Sequence, residues 1–214
     1  MKLILASQSP RRRELLSYYT NDFQVRVSQA DESLPEGIAP GEAVALLAER
    51  KASAVAQLPE CQSCRIIGAD TVVAVEGRIL GKPHSPEEAE EMLRLLSGRV
   101  HSVYTGVAVL GPGERKVFTQ QTQVKFYPLS SREIQDYVAT GEPMDKAGAY
   151  GIQGRGGLLV RRLEGDYFNV MGLPIARLAR VLEGNGVRRY DRRVRGPEAP
   201  EYRGYHRHHR PVPA

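Results

Sequence analysis

The sequence predicts an α/β protein in which a mixed β-sheet is flanked by helices. Strand-like and helix-like segments alternate from the N-terminus, beginning with the apolar run 3–6 and the helical pattern that follows Pro10. Two long strand-like runs, 100–110 and 117–127, are joined by Gly111-Pro112-Gly113-Glu114, which is typical of an antiparallel hairpin.

The other elements follow from caps, spacing and turn residues. Ser-x-x-Glu patterns at Ser85 and Ser130 are capping boxes that begin helices, and these helices end at Gly98 and Gly141. Apolar residues at helical spacing predict a helix over 41–58. The remaining predicted boundaries are a first helix that ends near Asn21-Asp22, strands over 23–27, 66–75 and 158–160, a turn over 164–166, and a last helix that ends near Gly184.

The basic charge of the chain is confined to one end. The formal net charge is +5, but residues 187–214 hold eight of the 30 basic residues and three of the 25 acidic ones, which leaves 22 of each in residues 1–186. We therefore predict a globular domain over 1–186, which is long enough for two lobes that share a cleft, and a basic disordered tail over 187–214. No specific nucleic-acid partner is expected; the tail leaves room for nonspecific binding.

Composition restricts the setting and the metal chemistry. No apolar run approaches membrane-spanning length and no signal pattern is present, so we expect a soluble, cytoplasmic protein with no membrane partner. Cys61 and Cys64 form a single C-x-x-C pair, whereas structural zinc needs four ligands, so they are interpreted as reduced thiols; a redox pair is the alternative. His101 is interpreted as a hydrogen-bonded core or sheet-surface residue.

The segment Ser7-Gln8-Ser9-Pro10-Arg11-Arg12-Arg13 connects the first strand to the first helix. Ser9 is a suitable N-cap, and Pro10 fits the first helical position. Arginines in the first turn are disfavoured by about 0.3–1 kcal/mol each, because the helix dipole is positive there. Two hydroxyls, free N–H groups and three guanidinium groups at one point suit a bound phosphate chain. A basic, solvated helix start is the alternative.

Three further residues combine charge with an apolar setting. Asp70 interrupts the strand 66–75, where a carboxylate must be paired, hydrogen-bonded or metal-bound, so it is a candidate metal- or water-binding group; a local turn cap is the alternative. Lys51 lies within the apolar stripe of its helix, and either extends to solvent or reaches into a cleft. Lys82 is fixed between a glycine and a proline, which indicates a positioned ammonium group.

Residues 142–157 form a second glycine-rich segment, with five glycines that let the backbone approach a ligand closely. Lys146, Gln153 and Arg155 supply polar side chains there. Tyr150 and its apolar neighbours make the segment too apolar for a flexible surface loop, which is the alternative.

Together these residues match the needs of triphosphate chemistry. Cations occur at four separate places, and Asp70 with Asp31 or Glu32 would suit a divalent ion. The phosphate charge must be neutralised before a nucleophile can approach. The sequence has no Walker motif, no dinucleotide-binding glycine pattern and no persuasive Ser–His–Asp set.

Several of these motifs in order resemble the Maf family of house-cleaning nucleoside triphosphate pyrophosphatases. The resemblance covers residues 1 to about 186 and implies the ITPase-like (Maf/Ham1) fold, an elongated twisted mixed sheet flanked by helices, with two lobes and a central cleft. It depends on the segments 5–12, Gly68-Ala69-Asp70-Thr71, Gly81-Lys82-Pro83, Ser97-Gly98 with Thr105-Gly106, 145–154 and 170–174.

The resemblance also implies roles for individual residues. Asp70 would accept the proton of the attacking water and, with Glu32, bind a divalent cation, Mg²⁺ or Mn²⁺. The nucleoside triphosphate would be cleaved at the α-phosphorus, and the family suggests a homodimer. Phosphate binding is implied for Ser7, Ser9, Arg11, Arg12, Lys51 and Lys82, and substrate choice for Arg11, Thr71 and Gln153.

The segment around Tyr150 and Gln153 is similar to the dTTP/UTP subgroup, in contrast to relatives that act on 7-methyl-GTP. A glutamine amide can donate to a pyrimidine carbonyl and accept from N3–H, which matches uracil or thymine better than cytosine. Two alternatives remain open from the sequence: a regulatory or nucleic-acid-binding protein linked to septum formation, and a triphosphatase for modified nucleotides.

Overall fold

The computed structural model describes residues 1–184 and confirms the predicted α/β class. A seven-stranded mixed sheet has the order β2-β1-β3-β5-β6-β7, and β4 pairs with β3 outside this path. The strands are β1 Leu3–Leu5, β2 Gln24–Val25, β3 Arg65–Val75, β4 Arg78–Leu80, β5 Val100–Gly111, β6 Glu114–Phe126 and β7 Val160–Glu164. The helices are α1 Pro10–Ser17, α2 Pro40–Ala56, α3 Pro86–Leu96, α4 Ser131–Val138, α5 Tyr167–Met171 and α6 Ile175–Glu183.

The sheet is parallel at its N-terminal edge and antiparallel elsewhere. Strand β1 pairs in parallel with both β2 and β3, and helices α1 and α2 form the connections that parallel pairing requires. Strands β3, β5, β6 and β7 follow in antiparallel order. The predicted hairpin is therefore confirmed as β5 and β6, joined by a turn in which Gly113 has a φ of +71°.

Apolar cores lie toward the two ends of the sheet. One core joins Val73 of β3 and Phe126 of β6 to α3 and α4. Toward the other end, Ile67 packs against α1 and α6, whereas Ile66 packs against α2 on the opposite face. Along β3, Asp70 and Thr71 lie between the residues that belong to the core on one side and those that belong to the cores on the other. The side chains of Asp70 and Thr71 are therefore part of none of these apolar cores.

The same stretch of β3 is also uncovered along one edge. Strand β1 pairs with residues 65–67 of β3, and β4 pairs with residues 73–75 on that same edge. Between these pairings, residues 68–72 have no partner strand on that edge within residues 1–184. The gap lies just past the carboxyl end of β1, where ligands commonly bind in open α/β sheets.

Helix α2 lies unusually close to the sheet beside this gap. A Cβ atom added to Gly68 would lie 2.1 Å from the carbonyl oxygen of Ala48, and one added to Gly106 would lie 2.2 Å from that of Val44. Real side chains do not occupy such positions, so both strands need glycine where α2 crosses them. This close approach brings Lys51, one turn further along α2, over β3.

Three predicted boundaries are wrong. Helix α1 ends at Ser17 instead of near Asn21-Asp22, because the N–H groups of Tyr18 and Tyr19 bond to carbonyls three residues back and tighten the last turn. Strand β2 covers two residues of the five expected over 23–27. The strand expected over 158–160 begins only at Val160 and extends through Glu164, since residues 154–159 form a glycine-rich 3₁₀ turn.

The cysteine pair and the C-terminal tail were also the subject of predictions. Cys61 and Cys64 are both free and buried in the core beneath α2, as interpreted. The predicted basic tail over 187–214 lies outside the described residues. Among residues 1–184, no helix is both long and apolar enough to cross a membrane.

Candidate active site

The gap in the edge of β3 opens into a cleft of about 960 Å³. Its walls come from the β1–α1 connection, the loop before α2, the middle of β3, the residues after β4 and the glycine-rich segment 142–154. Ten residues predicted for the site all line this cleft: Ser7, Ser9, Arg11, Arg12, Glu32, Lys51, Asp70, Thr71, Lys82 and Gln153.

Asp70 and Glu32 meet at the ammonium group of Lys51. The Lys51 Nζ atom lies 2.6 Å from Asp70 Oδ1 and 2.8 Å from Glu32 Oε1. The side chains of Asp70 and Lys51 are largely buried, with exposed fractions of 14% and 15%. Lys51 therefore reaches into the cleft instead of extending to bulk solvent, and its hydrogen bond lowers the pKa of Glu32. Asp31, the alternative to Glu32, faces Ser33 and Arg50 instead.

The two carboxylates fit a hard divalent cation such as Mg²⁺ or Mn²⁺. Both lie beside the Lys51 ammonium group, Glu32 on the loop before α2 and Asp70 on strand β3, and they offer the oxygen ligands that Mg²⁺ prefers. Within residues 1–184 no group of three or more Asp, Glu, His or Cys side chains is placed to hold a metal. A cation at Asp70 and Glu32 would thus complete its coordination with water and phosphate oxygens, as is usual for Mg²⁺ in phosphate-binding sites.

Arg12 is held by several protein groups at the edge of the cleft. Its Nε donates to the carbonyl oxygen of Gly172 over 2.8 Å, and Nη2 donates to Thr71 Oγ1 over 3.0 Å. A longer contact of 3.4 Å joins Nη1 to the buried hydroxyl of Ser7. Burial lowers the pKa of the Arg12 guanidinium, and the negative charge of Asp70 acts in the opposite direction. Arg12 and Asp70 therefore influence each other across one cleft.

The three consecutive arginines do not converge as the sequence predicted. Arg11 lines the cleft and lies 3.6 Å from Asp145 on the opposite wall. Arg13 is exposed and faces a separate surface groove with Glu14 and Phe23. Adjacent helical residues point about 100° apart, so three in a row cannot share one direction. Ser9 caps α1 as predicted, accepting from the Arg12 N–H over 3.4 Å.

Glu142 organises the glycine-rich wall. Its Oε2 accepts from the N–H of Arg155 over 3.1 Å, while Oε1 accepts from the N–H of Gly156 over 2.9 Å and from the Tyr137 hydroxyl over 3.0 Å. Burial acts to raise the pKa of Glu142, but these hydrogen bonds outweigh it and the pKa is lowered. Glu142 could not be predicted from the sequence, because the two backbone N–H groups that it accepts from lie 13 and 14 positions away in an irregular segment.

A buried aromatic cluster supports the same wall from below. Tyr150 lines the cleft, and its hydroxyl lies 2.8 Å from Nε2 of the buried His101 on β5. Both rings pack edge-to-face with Phe126. Burial lowers the pKa of His101 to about 4 and raises the pKa of Tyr150, so both side chains are neutral near pH 7. The interpretation of His101 as a hydrogen-bonded core residue is confirmed.

Lys82 and Gln153 complete the cleft as exposed side chains on short connections. The N–H of Gly148 donates to the carbonyl oxygen of Gly81 over 2.9 Å, which joins the segment that carries Lys82 to the glycine-rich wall. Lys146 is turned back into that wall, where its Nζ donates to the Glu142 carbonyl and to Asp145, each over 2.6 Å. Lys82 is therefore free of the bonds that hold Lys146.

Comparison with known proteins identifies the family. The model of the Maf family, described as "Maf-like protein", matches residues 2–185. The chain belongs to the Maf family. A protein of Geobacillus sp. (strain WCH70) named dTTP/UTP pyrophosphatase is 54% identical over 185 residues, which are 86% of this chain and 98% of that protein.

Further relatives carry the same name, and one solved structure shares the fold. The dTTP/UTP pyrophosphatase of Bacillus pumilus (strain SAFR-032) is 48% identical, over 87% of this chain and 97% of that protein. The one from Bacillus velezensis is 50% identical, over 85% and 95%. The structure of the Staphylococcus aureus Ham1 protein aligns with a TM-score of 0.50 and 19% identity, over 87% of this chain and all of that one. This likeness supports the ITPase-like fold that the family resemblance implied.

Proposed function

We propose that this protein hydrolyses dTTP and UTP to the nucleoside monophosphate and pyrophosphate, by attack of water at the α-phosphorus. The observation that carries the proposal is a single cleft that holds a carboxylate, Asp70, together with cations from three separate elements, Arg12, Lys51 and Lys82. The names of the Maf relatives support the choice of substrate. The cytoplasm, where nucleoside triphosphates are made and used, is the proposed site of action.

In this proposal the cations bind the triphosphate. Arg12 presents its remaining N–H groups to the cleft from a fixed position, with Ser7 and Ser9 at the same connection. Arg11 leaves Asp145 when phosphate arrives, because a phosphate oxygen competes well with an exposed carboxylate. Lys82 and Lys51 neutralise the charge that develops on the pyrophosphate leaving group.

Asp70 is the proposed proton acceptor for water. Its Oδ1 is bonded to Lys51, which orients the carboxylate and leaves Oδ2 to accept the proton of a water molecule. Asp70 and Glu32 would also hold a divalent cation, Mg²⁺ or Mn²⁺. Such a cation polarises phosphoryl oxygens and lowers the barrier to nucleophilic attack.

The glycine-rich wall is the proposed base-recognition surface. Gln153 is an exposed side chain that lines the cleft, and its amide can pair with O4 and N3–H of uracil or thymine. Arg11 and Thr71 are the other proposed specificity residues. Homodimer formation is also proposed on the basis of the family resemblance, and gel filtration with light scattering tests it.

The function is tested by product analysis with the full-length protein. Incubation with dTTP or UTP and Mg²⁺ or Mn²⁺ should yield equal amounts of monophosphate and pyrophosphate, measured by ³¹P NMR. Orthophosphate as the sole released phosphate would contradict cleavage at the α-phosphorus. A panel that includes CTP, 5-methyl-UTP and pseudouridine triphosphate would show whether modified nucleotides are the better substrates.

A further inference from the structure

We infer that Thr105, a fully buried threonine on β5, is a positioning residue that fixes the Arg12 guanidinium in the cleft through Thr71. The inference rests on the proposed function, because it assigns to Arg12 the binding of the substrate phosphates. Thr105 and Thr71 are directly opposite each other in the antiparallel pair of β5 and β3. Their hydroxyl oxygens are 2.9 Å apart, and Thr71 Oγ1 is 3.0 Å from Arg12 Nη2.

The direction of each hydrogen bond follows from the supply of protons. Thr105 Oγ1 donates to the carbonyl oxygen of Asn169 over 3.0 Å, and a hydroxyl has one proton to give. Thr105 must therefore accept from Thr71, and Thr71 must donate inward. An arginine is donor only, so Thr71 accepts from Arg12. The series of hydrogen bonds thus runs in one direction, from Arg12 through Thr71 and Thr105 to the Asn169 carbonyl.

Asn169, at the far end of this series of hydrogen bonds, is itself held in place. Asn169 is fully buried on α5, and its Nδ2 donates to the Val103 carbonyl over 3.1 Å and to Thr122 Oγ1 over 3.0 Å. The second anchor of Arg12, the carbonyl of Gly172, terminates the same helix. Gly172 has a φ of +112°, which favours glycine and turns this carbonyl toward α1. Helix α5 therefore holds Arg12 in two ways, directly through the Gly172 carbonyl at its end and indirectly through Thr105 and Thr71.

The arrangement changes the expected role of Thr71. The Thr71 hydroxyl donates its proton to Thr105, so Thr71 cannot donate to a nucleotide without breaking the hydrogen bonds that hold Arg12. Arg12 uses three of its five N–H groups on Gly172, Thr71 and Ser7, and two remain for phosphate oxygens. Thr71 and Thr105 should thus influence substrate binding through Arg12, although Thr105 has no exposed surface in the cleft.

The test compares Thr105→Val, which removes the hydroxyl at nearly constant shape, with Thr105→Ser, which keeps it. Thr105→Val should lower kcat/KM for dTTP about tenfold, because a small loss of orientation in a binding group costs about this much. Thr105→Ser should recover most of the loss, and Thr71→Val should match Thr105→Val. The control is Thr119→Val, in which a β6 threonine that donates to the Gly41 carbonyl loses the same hydroxyl away from Arg12.

A double-mutant cycle separates positioning from a general loss of structure. In an Arg12→Ala background, Thr105→Val should cause no further loss of kcat/KM, since its effect passes through Arg12. A loss that persists at full size in that background would overturn the inference, as would a Thr105→Val enzyme that behaves like Thr119→Val. If Thr105→Val proves too unstable to assay, Thr105→Ala, which also lacks the hydroxyl, takes its place in the same cycle.

A binding measurement distinguishes failure of this inference from failure of the proposed function. Isothermal titration calorimetry with inorganic tripolyphosphate reports on the phosphate-binding groups without turnover. Weaker binding by about tenfold in Thr105→Val, with wild-type binding in Thr119→Val, supports positioning of Arg12 even if dTTP is not hydrolysed. Hydrolysis of dTTP by the wild type with unchanged tripolyphosphate binding in Thr105→Val would reject the inference alone.

Discussion

The two walls of the cleft are built in different ways. The wall that carries Arg12, Asp70 and Lys51 stands on regular elements, with α2 packed against glycines of β3 and β5. Each of these three charged side chains is hydrogen-bonded to another protein group. The opposite wall belongs to the glycine-rich segment 142–157, of which residues between 142 and 154 line the cleft. This segment consists of short 3₁₀ turns held by one carboxylate, Glu142, and by an aromatic cluster beneath Tyr150.

This difference separates two tasks. Phosphate chemistry is the same for every nucleoside triphosphate and benefits from groups fixed in advance, because no energy is then spent on arranging them during the reaction. Recognition of the base differs among nucleotides, and an irregular segment can change without disturbing the sheet. We therefore expect substitutions on the sheet wall to affect turnover, and substitutions on the glycine-rich wall to affect KM and substrate preference.

The largest effect is expected from Asp70→Asn. Loss of the proposed proton acceptor should lower kcat by about 10²–10⁴-fold and change KM little, since the phosphate-binding cations remain. Steady-state assays of pyrophosphate release from dTTP measure both constants. Asp31→Asn is the matched control, because Asp31 lies outside the cleft beside Ser33 and Arg50. Near-normal turnover of Asp70→Asn would contradict both the role of Asp70 as proton acceptor and the assignment of turnover to the sheet wall.

The support beneath the glycine-rich wall should weaken in acid. Burial lowers the pKa of His101 to about 4, from an ordinary value of 6.5, so between these values the unfolded chain binds a proton that the folded protein does not. The free energy of unfolding should therefore fall as the pH decreases from 6.5 to 4, by up to about 3 kcal/mol from this residue. Urea denaturation at pH 7, 5.5 and 4.5 measures the slope.

The matched pair for this prediction is His101→Phe and His84→Asn. His101→Phe should show a smaller loss of stability on acidification than the wild type, whatever its stability at pH 7. His84 is exposed, so His84→Asn should keep the wild-type slope. Equal slopes for the wild type and His101→Phe would show that His101 does not titrate as its burial requires.

Glu142→Gln should act on binding more than on chemistry. A glutamine has one acceptor oxygen and cannot serve the Tyr137 hydroxyl and both backbone N–H groups, so the wall that carries Gln153 should lose its order. We expect KM for dTTP to rise about tenfold with a smaller change in kcat. Glu164→Gln, on exposed β7, controls for the loss of one surface charge. A loss of kcat as large as that of Asp70→Asn would show that the glycine-rich wall contributes to the hydrolysis step and not only to binding.

The smallest effect concerns the choice of base. Gln153→Ala should lower the ratio of kcat/KM for UTP to that for CTP by about three- to tenfold, which corresponds to the loss of neutral hydrogen bonds. Arg155→Ala is the control, because Arg155 is exposed on the same segment but does not line the cleft. A ratio that is unchanged in Gln153→Ala, or changed equally in both variants, would assign base recognition to other residues.

The sequence predicted the sheet wall better than the glycine-rich wall, for a physical reason. Local patterns fix local structure: the Ser9 cap, the Asp70 interruption of an apolar strand and the position of Lys51 on its helix each depend on a few neighbouring residues. The partners of Thr105 and Glu142 lie far along the chain or in irregular backbone, where no periodicity indicates them. Gly68 and Gly106 were visible as motif residues, but their closeness to α2 depends on the assembled sheet.

The central claim is that water attacks the α-phosphorus from the Asp70 side of the cleft. Hydrolysis of dTTP in H₂¹⁸O, followed by mass spectrometry of both products, tests it directly. Attack at the α-phosphorus should place the label in the monophosphate and leave the pyrophosphate unlabelled. Label in the pyrophosphate would show attack at the β-phosphorus and would contradict attack at the α-phosphorus.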